Sequence, residues 1–209
     1  MAHSEETKAF MAEHRLACND TALVDAVKKK KASVVADLLK NGADIHTRND
    51  YAIRWAASYS KEVAEILMGH GDYGQTDPNL ALIGYACLGD FQKMEEMLAK
   101  GADIHEERER VLRDAARRGD EKVIEFALAH GADLRTKSYP EWDTPLRVTI
   151  EKGHEKATET LAGHYSLETL RNLAACCAWI PKDLIEKETA RRLKKTAKKI
   201  RGACEPLTL

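Results

Sequence analysis

The sequence predicts an all-α protein: a solenoid of about five stacked helix–turn–helix repeats with a helical cap at each end. Three observations predict it. Glycines at Gly42, Gly71, Gly101 and Gly131 are spaced 29, 30 and 30 residues apart, and a fixed period of about 20–50 residues marks a repeat architecture. The sequence around them recurs, as LLKNGADIH at 38–46, ILMGHGDYG at 66–74, MLAKGADIH at 97–105 and ALAHGADLR at 127–135. Aromatics are only 6% and prolines five, against 44% hydrophobic and 32% charged residues, which is a helical composition rather than that of a β-sandwich.

Taken in chain order, residues 1–19 form an N-terminal capping segment. Within it, 4–18 read as a helix with Ser4 as N-cap and acids in the first turn. The repeats follow over 20–165, divided at about 20–49, 50–79, 80–109, 110–142 and 143–165. The first helix of each carries a shared segment: TALVDAV at 21–27, YAIRWAA at 51–57, LALIGYA at 80–86, RVLRDAA at 110–116 and TPLRVTI at 144–150. Its alanines let neighbouring first helices pack closely. A turn follows, holding Gly89, Gly119 or Gly153. Unit two lacks one residue there, near Ser58–Ser60.

The second helix has apolar residues three and four apart, such as Val34, Val35, Leu38 and Leu39. It ends at the repeat glycine, which suits a left-handed cap. No single pair buries its apolar face alone, so stacking makes one continuous core. Residues 166–201 read as a C-terminal helical cap. One cap helix places Leu170, Leu173 and Cys177 on one face; a second, from Pro181 to about Ile200, turns Leu184, Ile185, Leu193, Ala197 and Ile200 inward. Residues 202–209 read as a frayed, flexible tail.

The repeat resembles the ankyrin repeat. The resemblance rests on TPLR at 144–147, Gly153-His154 and the Gly-Ala-Asp triplets at 42–44, 101–103 and 131–133. The pattern departs from the family in two ways. Arg54, Arg113 and Arg147 replace its histidine, and the short period removes the β-finger between repeats, leaving only the loop 132–143 long enough for one. Short-period arrays of this kind are similar to viral, phage and bacterial ankyrin proteins.

The resemblance implies a protein-binding module. It assigns the surface to the two positions after the alanine pair and to the loop tips. The candidate partner-binding residues are Lys28, Lys29, Arg48, Tyr59, Leu88, Arg117, Arg118, Lys152, Tyr139 and Trp142. Cys87 belongs to the same strip by position. The strip is mainly basic, which favours a partner protein with an acidic surface. A small array of this kind also fits a role as inhibitor of a host protein.

The alternative is nucleic-acid binding through that strip and the basic C-terminal helix. Residues 191–209 hold seven bases against one acid, so the rest of the chain carries -7 of the net charge of -1. No catalytic constellation is present, so an enzyme is not expected, and no cofactor or metal is expected either. Gly69, Gly71 and Gly74 spell G-x-G-x-x-G, but the motif follows a helix rather than a strand. Five cysteines, an odd count with Cys176 and Cys177 adjacent, point to a reducing compartment and a cytoplasmic location. No apolar run reaches membrane-spanning length.

Overall fold

A computed structural model of the chain describes residues 2–71, 73, 77–134, 144–176 and 180–203. Thirteen helices lie among the described residues, and no strand does. The chain divides into two compact units, Met1–Asp133 and Leu134–Leu209.

In the first unit, α1 (Glu5–Glu13) is capped by Ser4, whose hydroxyl accepts from the Thr7 N–H. It is shorter than the sequence suggests, because Arg15 takes a positive φ of 54° and turns the chain away. Thr7 and Phe10 are buried. Asp37 ties the cap down, accepting from the Ser4 N–H at 3.2 Å and from His3 Nδ1 at 3.1 Å.

Four helix pairs follow: α2 (Asn19–Lys28) with α3 (Ala32–Lys40), α4 (Thr47–Tyr59) with α5 (Lys61–His70), α6 (Pro78–Leu88) with α7 (Phe91–Ala99), and α8 (Glu106–Arg118) with α9 (Glu121–Ala129). Ala26, Ala56, Ala57, Ala115 and Ala116 are fully buried where the first helices meet. Gly-Asp pairs make the turns of the third and fourth pairs. Gly89 and Gly119 are left-handed, and Asp90 and Asp120 then cap α7 and α9. In the second pair Ser60 alone joins the two helices, accepting from the Val63 N–H.

The repeat glycines divide into two kinds. Gly42, Gly101 and Gly131 end their helices at φ of 84°, 94° and 93°, as the left-handed cap requires. Gly71 does not: its φ is -98°. It is glycine for space, because a Cβ there would strike the ring of the buried Tyr73.

Two of the loops between repeats replace the missing β-finger with a left-handed turn. Arg48, Asn49 and Asp50 have φ of 52°, 59° and 58°, and Glu107, Arg108 and Glu109 have 48°, 57° and 60°. Three consecutive non-glycine residues in this region each cost about 1–2 kcal/mol without compensation. The compensation repeats in both loops. His46 Nδ1 donates to Asp50 at 2.6 Å, and His105 Nδ1 donates to Glu109 at 2.5 Å. Arg54 donates to the Asn49 carbonyl at 3.1 Å, and Arg113 to those of Glu107 and Arg108 at 3.0 and 3.2 Å. The arginines that stand in place of the family's histidine therefore brace these turns.

The helix α6 is apolar on every side, with Leu80, Ala81, Leu82, Ile83, Ala86 and Cys87 all buried. This corrects the placement of Cys87 on the exposed strip. The cause is that α4 and α8 touch each other as well as α6, and so close over it. Burial pushes the Cys87 thiol pKa up.

The second unit holds α10 (Pro145–Glu151), α11 (Glu155–His164), α12 (Leu167–Cys176) and α13 (Lys182–Ala203). Thr144 caps α10, with Pro145 at the first helical position. Leu170 and Leu184 are buried as expected, but Leu193 is 66% exposed, which corrects its inward placement. Nine residues separate Leu184 from Leu193, half a turn out of phase on a helix of 3.6 residues per turn. The inward face is continued instead by Glu188, 4% exposed, and by Arg192. The expectations for Cys177 and for 204–209 of the tail lie outside the described residues, as do the side chains of Leu173, Ala197 and Ile200, whereas residues 202 and 203 continue α13 rather than fraying.

Candidate functional site

The surface features of interest gather where α4 and α8 meet. On α4, Tyr51, Trp55 and Tyr59 are four residues apart and share one stripe. On α8, Arg110, Arg113 and Arg117 are three and four apart and share another. The two stripes, with Arg54, Ser58 and Asp114, line a groove of about 360 Å³.

A chain of alternating charges holds the groove together. Arg54 pairs with Glu107. Glu107 accepts from Arg110 at 2.9 Å, Arg110 donates to Asp114 at 2.6 Å, and Asp114 accepts from Arg117 at 2.7 Å. Asp114 is nearly inaccessible, its side chain 3% exposed. Arg110 also donates to the Arg54 carbonyl and to the Ser58 hydroxyl. This network crosses from unit two of the repeat to unit four, over unit three. The aromatic stripe is also ordered by contacts of its own. Trp55 packs on Tyr59 with ring centroids 4.8 Å apart. Arg117 lies 5.6 Å from the Tyr59 ring, and Lys28 lies 5.1 Å from the Tyr51 ring.

The candidate residues from the sequence take different places. Tyr59, 48% exposed, and Arg117 line the groove. Lys28 and Lys29 are exposed at the end of α2, and Arg48 is exposed in the first left-handed turn. Leu88 is half-buried at the end of α6. Arg118 donates to the carbonyls of Ala57 and Ala86. Those carbonyls lie in the last turns of α4 and α6, where intrahelical partners run out, so Arg118 fastens two helix ends. Lys152 is exposed beside α10, in the other unit. Tyr139 and Trp142 lie outside the described residues.

Tyr51, Arg54, Trp55, Arg110 and Arg113 belong to the groove and were not among the candidates. Helical spacing alone marks both stripes. What it lacks is the pairing of helices two repeats apart. A basic guanidinium count also overstates the exposed charge, because most of these side chains are half-buried against carboxylates and carbonyls.

One titration is displaced near this site. The hydrogen bond to Glu109 holds the His105 pKa above its ordinary value. Among the described residues, no group of His, Cys, Asp and Glu is placed to hold a metal ion. No helix of the described residues is long and apolar enough to cross a membrane. Gly69 and Gly71 of the G-x-G-x-x-G match sit at the C-terminal end of α5, where amide N–H groups are already used within the helix; Gly74 lies outside the described residues.

Residues 18–50 match the model of the Ankyrin repeat family. That stretch is α2, α3 and the first left-handed turn. No curated protein matches the chain.

Proposed function

We propose that this chain, which matches the Ankyrin repeat model over residues 18–50, is a non-catalytic module that binds a partner protein through the face carried by α2, α4 and α8. Ankyrin repeats are protein-interaction modules, and catalysis is not typical of them. The observation that carries the reading is the groove of aromatics and arginines between α4 and α8. Tyr, Trp and Arg are the residue types that dominate binding energy at interfaces. Helical repeats with buried alanine seams are pre-ordered, so little conformational entropy is lost on docking. The exposed Lys28, Lys29 and Arg48 extend the surface with positive charge, which suits an acidic partner and steers its approach. Inhibition of the partner is the outcome this mode of binding suits.

The test is affinity capture from lysate with identification by mass spectrometry. The wild type is compared with the triple variant Lys28→Glu, Lys29→Glu, Arg48→Glu, whose three side chains are exposed. A protein held by the wild type and lost by the variant is the expected result. Capture that survives this variant but is lost on Tyr59→Ala confines binding to the groove, capture that survives both overturns the reading, and capture abolished by nuclease alone replaces it with nucleic-acid binding.

A further inference from the structure

The groove between α4 and α8 also constrains what kind of segment enters it, on the premise that the proposed docking face is right. We propose that it takes a proline-rich stretch of the partner protein in the polyproline II conformation.

Three features lead there. Charge is the first. Every guanidinium lining the groove is already engaged. Arg54 pairs with Glu107 and donates to the Asn49 carbonyl. Arg110 donates to Glu107, Asp114, the Arg54 carbonyl and the Ser58 hydroxyl. Arg113 donates to the carbonyls of Glu107 and Arg108, and Arg117 donates to Asp114. An incoming carboxylate has to displace one of these acceptors, so the arginine wall complements an uncharged segment better than a charged one.

The opposite wall is the second. It is made by Tyr51, Trp55 and Tyr59, the first two half-buried and Tyr59 exposed. Among the described residues, the hydroxyls of Tyr51 and Tyr59 and the indole N–H of Trp55 have no hydrogen-bond partner. Donors set beside apolar ring surface suit a ligand with apolar side chains and free acceptors. A proline-rich stretch has both. Its rings are apolar and carry no backbone N–H, and polyproline II makes no internal hydrogen bonds, so its carbonyls are left to accept. Aromatic-lined grooves are a recurring dock for such stretches.

Length is the third. Side chains four residues apart on a helix are about 6 Å apart along its axis, so the stripe is about 12 Å long. At about 3.1 Å per residue, about four residues of polyproline II span it. The groove of about 360 Å³ is at the small end of binding sites and admits a few residues of an extended chain, not a globular protrusion. A nucleic-acid strand fits less well, because its phosphates need a basic track and these guanidiniums are engaged.

The experiment is isothermal titration of acetylated, amidated decaproline into the wild type, beside a glycine/serine and a glutamate/leucine decapeptide. Decaproline should bind at least about tenfold tighter than either. Trp55→Phe and Tyr59→Phe each keep a ring and delete one donor, and each should weaken decaproline about fivefold, with thermal melting to show that the variants are folded. Tyr59 is largely exposed, so its variant keeps the test valid if Trp55→Phe unfolds. The affinity should change less than about twofold between about 0.05 and about 0.5 M salt, because no charge pair forms.

Decaproline bound no better than the other two peptides, an affinity unchanged in both variants, a steep salt dependence, or displacement of decaproline by oligothymidylate overturns the proposal. If affinity capture finds a partner that is lost on Tyr59→Ala while decaproline does not bind, the docking face stands and the polyproline chemistry falls.

Discussion

Two helices of this chain, α8 and α13, solve the same problem with different consequences. Each buries a carboxylate between two arginines of its own. On α8, Asp114 pairs with Arg110 and Arg117. On α13, Glu188 pairs with Arg191 and Arg192 at 3.2 and 2.6 Å. Each aims arginine at the last carbonyls of a neighbouring helix. Arg118 reaches Ala57 and Ala86, and Arg192 reaches Ala162, Gly163 and Tyr165.

The difference is in what stands opposite. On α8 it is an aromatic stripe, and a groove remains. On α13 it is the end of α11, which the guanidinium closes. A run of basic residues therefore does not itself make a docking surface. The partners already facing the charges decide.

The largest effect expected from breaking this pairing is at Asp114. Asp114→Ala removes the buried carboxylate that Arg110 and Arg117 share, with Glu107 still beside Arg110, and should cost about 3 kcal/mol in urea unfolding. Glu188→Ala should cost only about 1 kcal/mol, because Arg191 and Arg192 are 59% and 32% exposed and water replaces the lost partner. Equal losses would break the comparison.

Next is the entry to α8. Gly101→Val places a β-branched residue at a φ of 94° with open space around it, so the cost is conformational, about 1–2 kcal/mol. An unchanged melting temperature would remove the left-handed cap from the account.

A pH effect is smaller and should belong to α8 alone. The hydrogen bond from His105 to Glu109 raises the histidine pKa above 6.5. A raised folded pKa stabilises fully below the unfolded value, and the contribution is lost as pH rises through the folded one. Hydrogen exchange in the turn at 106–109 should therefore speed up as pH increases from 6.5 through that higher value, beyond the intrinsic base catalysis. His105→Gln should abolish the excess, and exchange in α13 should show none.

The smallest effect expected is at Leu193. Leu193→Ser should change stability by less than about 0.5 kcal/mol, because the side chain is largely exposed. A loss near that of a core leucine would mean that it packs inward after all.

Much of the fold was legible because it follows from local rules. Glycine caps at Gly42, Gly101 and Gly131 and the Gly-Asp turns act within one helix pair, and the alanines recur wherever one first helix meets the next. The site was less legible. Tyr59 and Arg117 could be placed by their position after the alanines. Cys87 occupies the position of Arg117 in its own repeat and is buried, because the neighbouring helices two repeats apart close over α6. Leu193 matched an apolar period but fell on the wrong side of α13, where Glu188 and Arg192 hold the inward face.

By itself, then, the sequence determined helix pairs, their period and three of the four glycine caps. These depend on backbone preferences and on contacts a few residues apart. Only the tertiary structure decided which arginines brace turns, which fasten helix ends and which line a groove. An arginine's role depends on the carboxylate, carbonyl or ring that faces it, and here those groups arrive from helices as many as 61 residues away.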